Sequence, residues 1–394
     1  MEDINMLSER VISSEESSTV RIADKAKYLR ENGNDVFDFS AGRAFEPTPN
    51  YVMEGAVKAL RSGDTHQTMA KGTTAYRNAC AKKLARENGI VADPETEIVA
   101  SMGCKQGLTI SLLALLNPGD EVIVEDPCFV SYKQTVHYLG GQPVAVPLLP
   151  ENNFRWKKEQ LLEAVSPKTK AIIVCSPHNP TGVVHTLEDL EEIASVAREN
   201  NIFVIMDEPY ERMVWGGRKH INMANVPGMR DLTITLMSLT KSFSMGGWRI
   251  GFVHANKRLT RQLEKLQQHL ITCVSSFVQA GGTIAFGQEP HDEVLQYWKE
   301  WEKKVEYFTQ ALNEIDGFKC AMPEGGFYGW VDITELDISS DRFADQLLEE
   351  EKVAVIPGSS FGKIGDDYIR VTCVKSWEEI KEGLKRINGF VQGL

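Results

Sequence analysis

Lys241 sits in the stretch 238–251, Ser-Leu-Thr-Lys-Ser-Phe-Ser-Met-Gly-Gly-Trp-Arg-Ile-Gly, eight positions ahead of Arg249. A lysine amine can condense with a carbonyl, and an arginine fork flanked by the Ser238 and Thr240 hydroxyls can hold a phosphate. A lone lysine is ordinarily a solvated surface charge, so its company decides the reading. That company comes from other loops, each following an apolar run. Gly103-Cys104-Lys105 is a glycine turn opening a helix, whose free N–H groups suit a phosphate but which also reads as ordinary punctuation. Phe129, in 126–132, is a stacking platform for a planar ring or a core aromatic. Asn179 lies in the turn Ser176-Pro177-His178-Asn179-Pro180-Thr181-Gly182, either reaching the site or capping its own turn. Asp207 directly follows the apolar run 203–206 and precedes Glu208-Pro209-Tyr210. A carboxylate buried there needs a cationic partner, for which His178, Arg212 and a bound heterocycle are candidates.

The elements that must position these residues alternate between 96 and 255. Apolar strands are expected at 97–101, 121–125, 143–146, 171–175, 203–206, 233–237 and 250–254, with helices at 105–115, 131–139, 158–164 and 187–200. That alternation predicts an α/β fold with a mostly parallel seven-stranded sheet between helices, and ligands at the carboxyl ends of its strands. Before it come a brief strand at 36–40, a helix at 52–60 and a polar loop at 65–72; after it, a helix at 257–268. A helix at 292–315, a glycine-flexed strand at 324–330, segments at 343–350 and 353–356, a strand around Arg370 and a helix at 378–391 make a smaller α+β unit. The expected division is a large domain at 48–288 and a small domain from both chain ends, 1–47 and 289–394.

Composition narrows the class. The chain has 394 residues, 42% hydrophobic and 25% charged, enough for one large core and a smaller one. A net charge of −12 argues against nonspecific nucleic-acid or anionic-membrane binding, and no run is apolar enough for a membrane span. The polar, acidic residues 1–21 lack a signal-peptide pattern, so a cytoplasmic protein is expected. Seven scattered cysteines without a C-x-x-C spacing point to reduced thiols, and no metal-ligand cluster is seen.

Together the loops offer a phosphate cradle, an aromatic stacker, an amide, a carboxylate, a phenol, a lysine and an arginine. Pyridoxal 5′-phosphate needs such a set: its aldehyde condenses with a lysine, and its pyridine nitrogen must be kept protonated by a carboxylate. The chain resembles the fold-type I, class I/II aminotransferases of the aspartate aminotransferase superfamily. The resemblance rests on motifs in family order from about 36 to 387: the Gly42 loop, Gly72 before Tyr76-Arg77, Gly103-Cys104-Lys105-Gln106, Asn179-Pro180-Thr181-Gly182, Asp207-Glu208-Pro209-Tyr210, the Lys241-to-Arg249 stretch and Tyr368-Ile369-Arg370-Val371.

The resemblance implies roles for these residues. Lys241 would hold the cofactor and move the proton at the substrate Cα, and Asp207 would pair with the pyridine nitrogen. Asn179 and Tyr210 would bond the ring oxygen, and Phe129 would stack on the ring. Gly103, Cys104 and Lys105 would cradle the phosphate with Ser238, Thr240 and Arg249. Arg370, with Gly42 and Asn179, would bind the substrate α-carboxylate. Amino groups would pass between an L-amino acid and a 2-oxo acid, aspartate- or aromatic-like, in a homodimer with active sites at the subunit interface. A C–S lyase or a cyclopropane-carboxylate synthase-like lyase on the same scaffold is the alternative, and a DNA-binding regulator lacks its recognition helix here. Gln67 stands where relatives usually supply a tyrosine to the neighbouring subunit's phosphate, Cys104 where small residues are usual, and Arg43 where many have Glu. Arg43 could take a second carboxylate or be a solvated loop residue. Phe327, Tyr328 and Trp330 would favour aromatic substrates if they faced the site, and could equally be core.

Overall fold

The computed structural model describes residues 7–14, 18–43 and 45–394; part of the expected polar lead at 1–21 lies outside the described residues. Thirteen strands are found among the described residues. In chain order they are β1 (Phe37–Asp38), β2 (Ile98–Ser101), β3 (Glu121–Asp126), β4 (Gln142–Pro147), β5 (Thr169–Cys175), β6 (Phe203–Asp207), β7 (Thr233–Ser238), β8 (Gly251–His254), β9 (Lys319–Cys320), β10 (Tyr328–Asp332), β11 (Val353–Ala354), β12 (Ile356–Pro357) and β13 (Tyr368–Thr372). The main sheet has the order β2-β8-β7-β6-β5-β3-β4, parallel except for β8.

Its central strands read as continuous Ile/Val runs because both faces are covered. On one side Ile173, Ile205 and Leu236 pack under the helix Cys104–Leu115; on the other Ile172, Val204 and Met206 meet the helix Leu187–Asn200. The latter helix starts on a full capping box, Thr186 with Asp189, which satisfies two N-terminal donors reciprocally.

A second core gathers Phe39, Trp301, Phe308, Val331, Phe343, Ile369 and Ile387. It lies between the antiparallel sheet β12-β13-β10-β9 and the helices Asp292–Leu312, Ser340–Glu350 and Trp377–Gly393. β1, far upstream in sequence, runs parallel to β11 beside this core, so both chain ends contribute to it.

Two expectations are corrected, and two helices come in addition to those expected. The strand expected at 324–330 begins only at Tyr328, because Gly326 (φ +72°) and the preceding residues form a turn. The polar lead gives way to a helix, Ser18–Glu31, whose Ile22 and Ala26 pack beside Trp330 and Ile356 while its charged residues face outward. Two further helices, Thr74–Asn88 and Ser276–Gly287, pack against each other; the second carries the glycine pair 281–282, easily taken for a loop.

Ile205 is fully buried at the centre of β6. Ile205→Ala is expected to cost about 2–5 kcal/mol in urea unfolding, from lost transfer energy plus the cavity left behind. An unchanged unfolding midpoint would show that this core is not close-packed.

Candidate active site

The topology explains why distant loops meet. β6 ends on Asp207, β5 leads into the Asn179 turn, β7 ends at Ser238 and continues to Lys241, and β2 ends at Ser101 just before Gly103. β8 runs the other way, with Gly251 opposite both Ser101 and Ser238. Its start therefore lies at the edge where its neighbours end, and this brings Arg249 to the group. Tyr328 on β10 and Arg370 on β13 arrive from the second sheet. These residues line one cavity of about 500 Å³, together with Gly42, Cys104, Lys105, Phe129, Asn179, Tyr210, Thr240 and Lys241. Gly103 lies at its edge: φ is +80°, and a β-carbon there would come within 3.1 Å of the Arg249 guanidinium.

Asp207 is buried at the floor. Tyr132 Oη donates to its Oδ2 at 2.6 Å, while Oδ1 has no hydrogen-bond partner. Burial pushes its pKa up to about 6, against the pull of the Tyr132 hydroxyl and the Cys104 thiol. Neither protein cation expected beside it is there. His178 Nε2 lies 3.3 Å from Glu125, and Arg212 makes a two-pronged bond to Glu87 at 2.7 and 2.8 Å.

Ser238 Oγ is likewise buried without a partner. The helix Cys104–Leu115 beside it begins without a side-chain cap, leaving its first N–H groups for a ligand. Arg249, in a left-handed conformation (φ +54°), anchors to the Gly246 and Met102 carbonyls at 2.9 and 3.1 Å.

Lys241 Nζ donates to the Gly42 carbonyl and lies 5.7 Å from the Tyr210 ring centroid. A β-carbon on residue 42 would sit 2.5 Å from Tyr328 Oη and 3.3 Å from Lys241 Nζ, so only glycine leaves this space open. The Tyr210 and Tyr328 hydroxyls are 3.0 Å apart, and burial holds the Tyr210 phenol well above its ordinary pKa.

Arg370 is 3% exposed and pairs with no carboxylate among the described residues. Its guanidinium lies 4.2 Å from the Tyr328 ring centroid and 4.9 Å from that of Phe361. It donates to Asn179 Oδ1 and the Ser40 carbonyl, both at 3.0 Å, and its Nε has no partner. Burial pulls its proton affinity down. A buried cation held only by neutral groups is a site awaiting an anion.

The family model "Aminotransferase class I and II" matches residues 34–387. The chain belongs to the class I and II aminotransferases. It is 34% identical over 392 residues to the aspartate aminotransferase of Geobacillus stearothermophilus, covering 98% of this chain and 99% of that one. Among solved structures, the Thermus thermophilus aspartate aminotransferase with maleate matches with a TM-score of 0.92 at 33% identity, over 98% of this chain and 99% of that one. The aromatic aminotransferase of Pyrococcus horikoshii matches with a TM-score of 0.88 at 36% identity, over 93% and 99%.

Sequence reasoning missed Tyr132 and the first long helix as contributors to this aminotransferase's cavity, and left open whether Tyr328 faces it. Tyr132, one helical turn after Phe129, reads as core until its hydroxyl is seen on Asp207. Tyr328 alone of its aromatic group lines the cavity; Phe327 packs against Tyr210 and Trp301, and Trp330 stacks on Tyr368. Thr19, Val20 and Ala23 of the first long helix close one wall. Arg43 and Gln67 are exposed and do not line the cavity of this chain.

Tyr132→Phe removes a donor that favours the charged carboxylate, so Asp207 in the cofactor-free protein is expected to keep its proton to a pH above about 6. Infrared difference titration of the protonated carboxyl checks this. An unchanged or lowered midpoint would mean that Tyr132 does not govern Asp207.

Proposed function

We propose that this aminotransferase works with pyridoxal 5′-phosphate and prefers acidic substrates. The observation that carries the reading is the pair of incomplete charges in one cavity with Lys241: a buried carboxylate with an orphaned oxygen and a buried arginine without a carboxylate. The residues present fit the cofactor. Asp207 Oδ1 would accept from the ring nitrogen and keep it protonated, and the added positive charge would hold the carboxylate ionised. Ser238, Thr240, Arg249 and the backbone N–H groups of Cys104 and Lys105 would hold the phosphate. Phe129 would stack on the ring, and Asn179 and Tyr210 would bond its oxygen. The cofactor supplies an aldehyde that carries the amino group and a ring that draws electrons away from the substrate Cα.

The remaining work falls to the protein. Lys241 would hold the cofactor covalently, and its amine would move the proton at the substrate Cα. Arg370 and Asn179 hold the α-carboxylate, and Gly42 leaves room for it beside Lys241. Four cations line the cavity; with Lys241, Arg249 and Arg370 assigned, Lys105 remains for a second carboxylate. Its proton affinity is lowered by burial and by Arg249 and Lys241, as befits a cation without an anion. The apolar wall of Val20, Ala23 and Phe129 supports aromatic substrates as a second reading.

We further infer a large domain at 48–288 and a small domain at 1–47 and 289–394, the latter closing over the substrate to expel water. Homodimer formation is supported by an apolar groove lined by Met53, Leu60, Trp248, Phe277 and Val278, which also reaches Arg249. A cytoplasmic location accords with seven free cysteines; among the described residues no helix is long and apolar enough to cross a membrane.

Lys241→Ala is expected to abolish turnover while the cofactor still binds noncovalently, and borohydride should fix the cofactor on Lys241 of the wild type. A label on Lys105 or Lys71 would overturn the assignment. Lys105→Ser is expected to lower kcat/KM for aspartate about 10–100-fold, the worth of a lost charged hydrogen bond, and to spare phenylalanine. Equal losses for both substrates would remove Lys105 from side-chain recognition. Release of pyruvate or ammonia without a new amino acid would favour lyase chemistry instead.

A further inference from the structure

Glu125, near the end of β3, is fully buried, as are His178 and His185. Its carboxylate lies 3.3 Å from His178 Nε2 and 3.7 Å from His185 Nε2. Trp156 Nε1 donates to it at 3.3 Å, and the Cys175 N–H points to both oxygens at 3.3 and 3.4 Å. Such a cluster is costly to bury, so its placement matters. Neither catalysis nor the cofactor cradle uses it.

The two histidines flank one loop. His178 starts it, with its Nδ1 2.7 Å from Thr181 Oγ1 and its N–H donating to the Val183 carbonyl at 2.7 Å. His185 ends it, its N–H donating to Ser176 Oγ at 3.3 Å. Glu125 therefore faces both ends of the segment 178–185 at ion-pair range, with neither histidine Nε2 making a hydrogen bond. That segment presents Asn179 to Arg370 on one side. On the other, the Gly182 carbonyl accepts from the Gly325 N–H at 2.9 Å, and the Val184 N–H donates to Glu324 at 2.9 Å. One loop thus sets the register between the main sheet and the second sheet's carboxylate-binding arginine.

We propose that Glu125, through His178 and His185, is a positioning residue that holds Asn179 in the orientation that aligns Arg370 for the substrate carboxylate. The proposal rests on the reading of Arg370 and Asn179 as the α-carboxylate site. The His178 and His185 contacts oppose the effect of burial and hold the Glu125 carboxyl below its ordinary pKa. Glu125→Gln keeps an acceptor for Trp156 and Cys175 but removes the charge that faces the histidines. His178→Asn removes the same contact from the other side.

The test is equilibrium binding of two unreactive carboxylates, succinate and 3-phenylpropanoate, to the cofactor-loaded enzyme. Wild type should bind at least one of them, and Arg370→Lys should weaken it. Failure of either would sink the carboxylate-site reading itself, and the proposal with it. Given that reading, Glu125→Gln and His178→Asn should each weaken carboxylate binding about tenfold, and more than they weaken cofactor binding, to which Asn179 would give one contact among several. The double variant should lose no more than either single variant. Unchanged carboxylate affinity in a folded single variant, even one of lowered thermal stability, would reduce the cluster to a structural role. Additive losses would show that Glu125 and His178 act independently. If Glu125→Gln does not fold, His178→Asn decides.

Discussion

The structure depends on a buried carboxylate with half its hydrogen-bonding capacity unmet. Asp207 ends the central strand β6, where it is largely buried at the cavity floor and where Tyr132 occupies only one of its oxygens. Burial drives its pKa up to about 6. Without a cation this costs stability as pH rises from about 4 to about 6, because the unfolded chain gives up that proton first. A protonated heterocycle nitrogen against the free oxygen would reverse the balance. The same position that destabilises the empty protein would then bind a cofactor tightly and keep it in its reactive form.

Arg370 is the matching constraint from the second sheet. It is also buried and also lacks its counter-charge, held by two aromatic rings and neutral oxygens. An arginine suits this place because its flat fork can face a carboxylate while its surfaces rest on Tyr328 and Phe361. The two unmatched charges reach one cavity because β6 ends there on Asp207 and β13 of the second sheet brings Arg370 against Asn179, in the loop after β5.

Much of this was legible in the chain. The apolar runs of β3, β5, β6 and β7 and the helices between them have strong periodicity, and Asp207, Asn179 and Lys241 stand at or just after strand ends that meet at one cavity. Less legible were residues whose role depends on a contact across the molecule. Tyr132 looks like any aromatic on a helix, and nothing in its neighbourhood in sequence points to a residue 75 positions away. The helix Ser18–Glu31 carries charged residues through its length, and only the fold shows that Ile22 and Ala26 pack on a core while Thr19, Val20 and Ala23 wall the cavity. His178 was a reasonable partner for Asp207 by proximity in the motif order, but Glu125 lies nearer in space. Pairing of buried charges is decided by three-dimensional neighbours, which a linear pattern does not encode.

The most direct measurement follows the ring nitrogen that Asp207 is held to serve. With cofactor labelled by nitrogen-15 in the ring, the nitrogen chemical shift of the loaded enzyme reports whether it carries a proton. The account predicts a protonated nitrogen in the wild type at neutral pH and an unprotonated one in Asp207→Ala. The same protonation state in both proteins would contradict it.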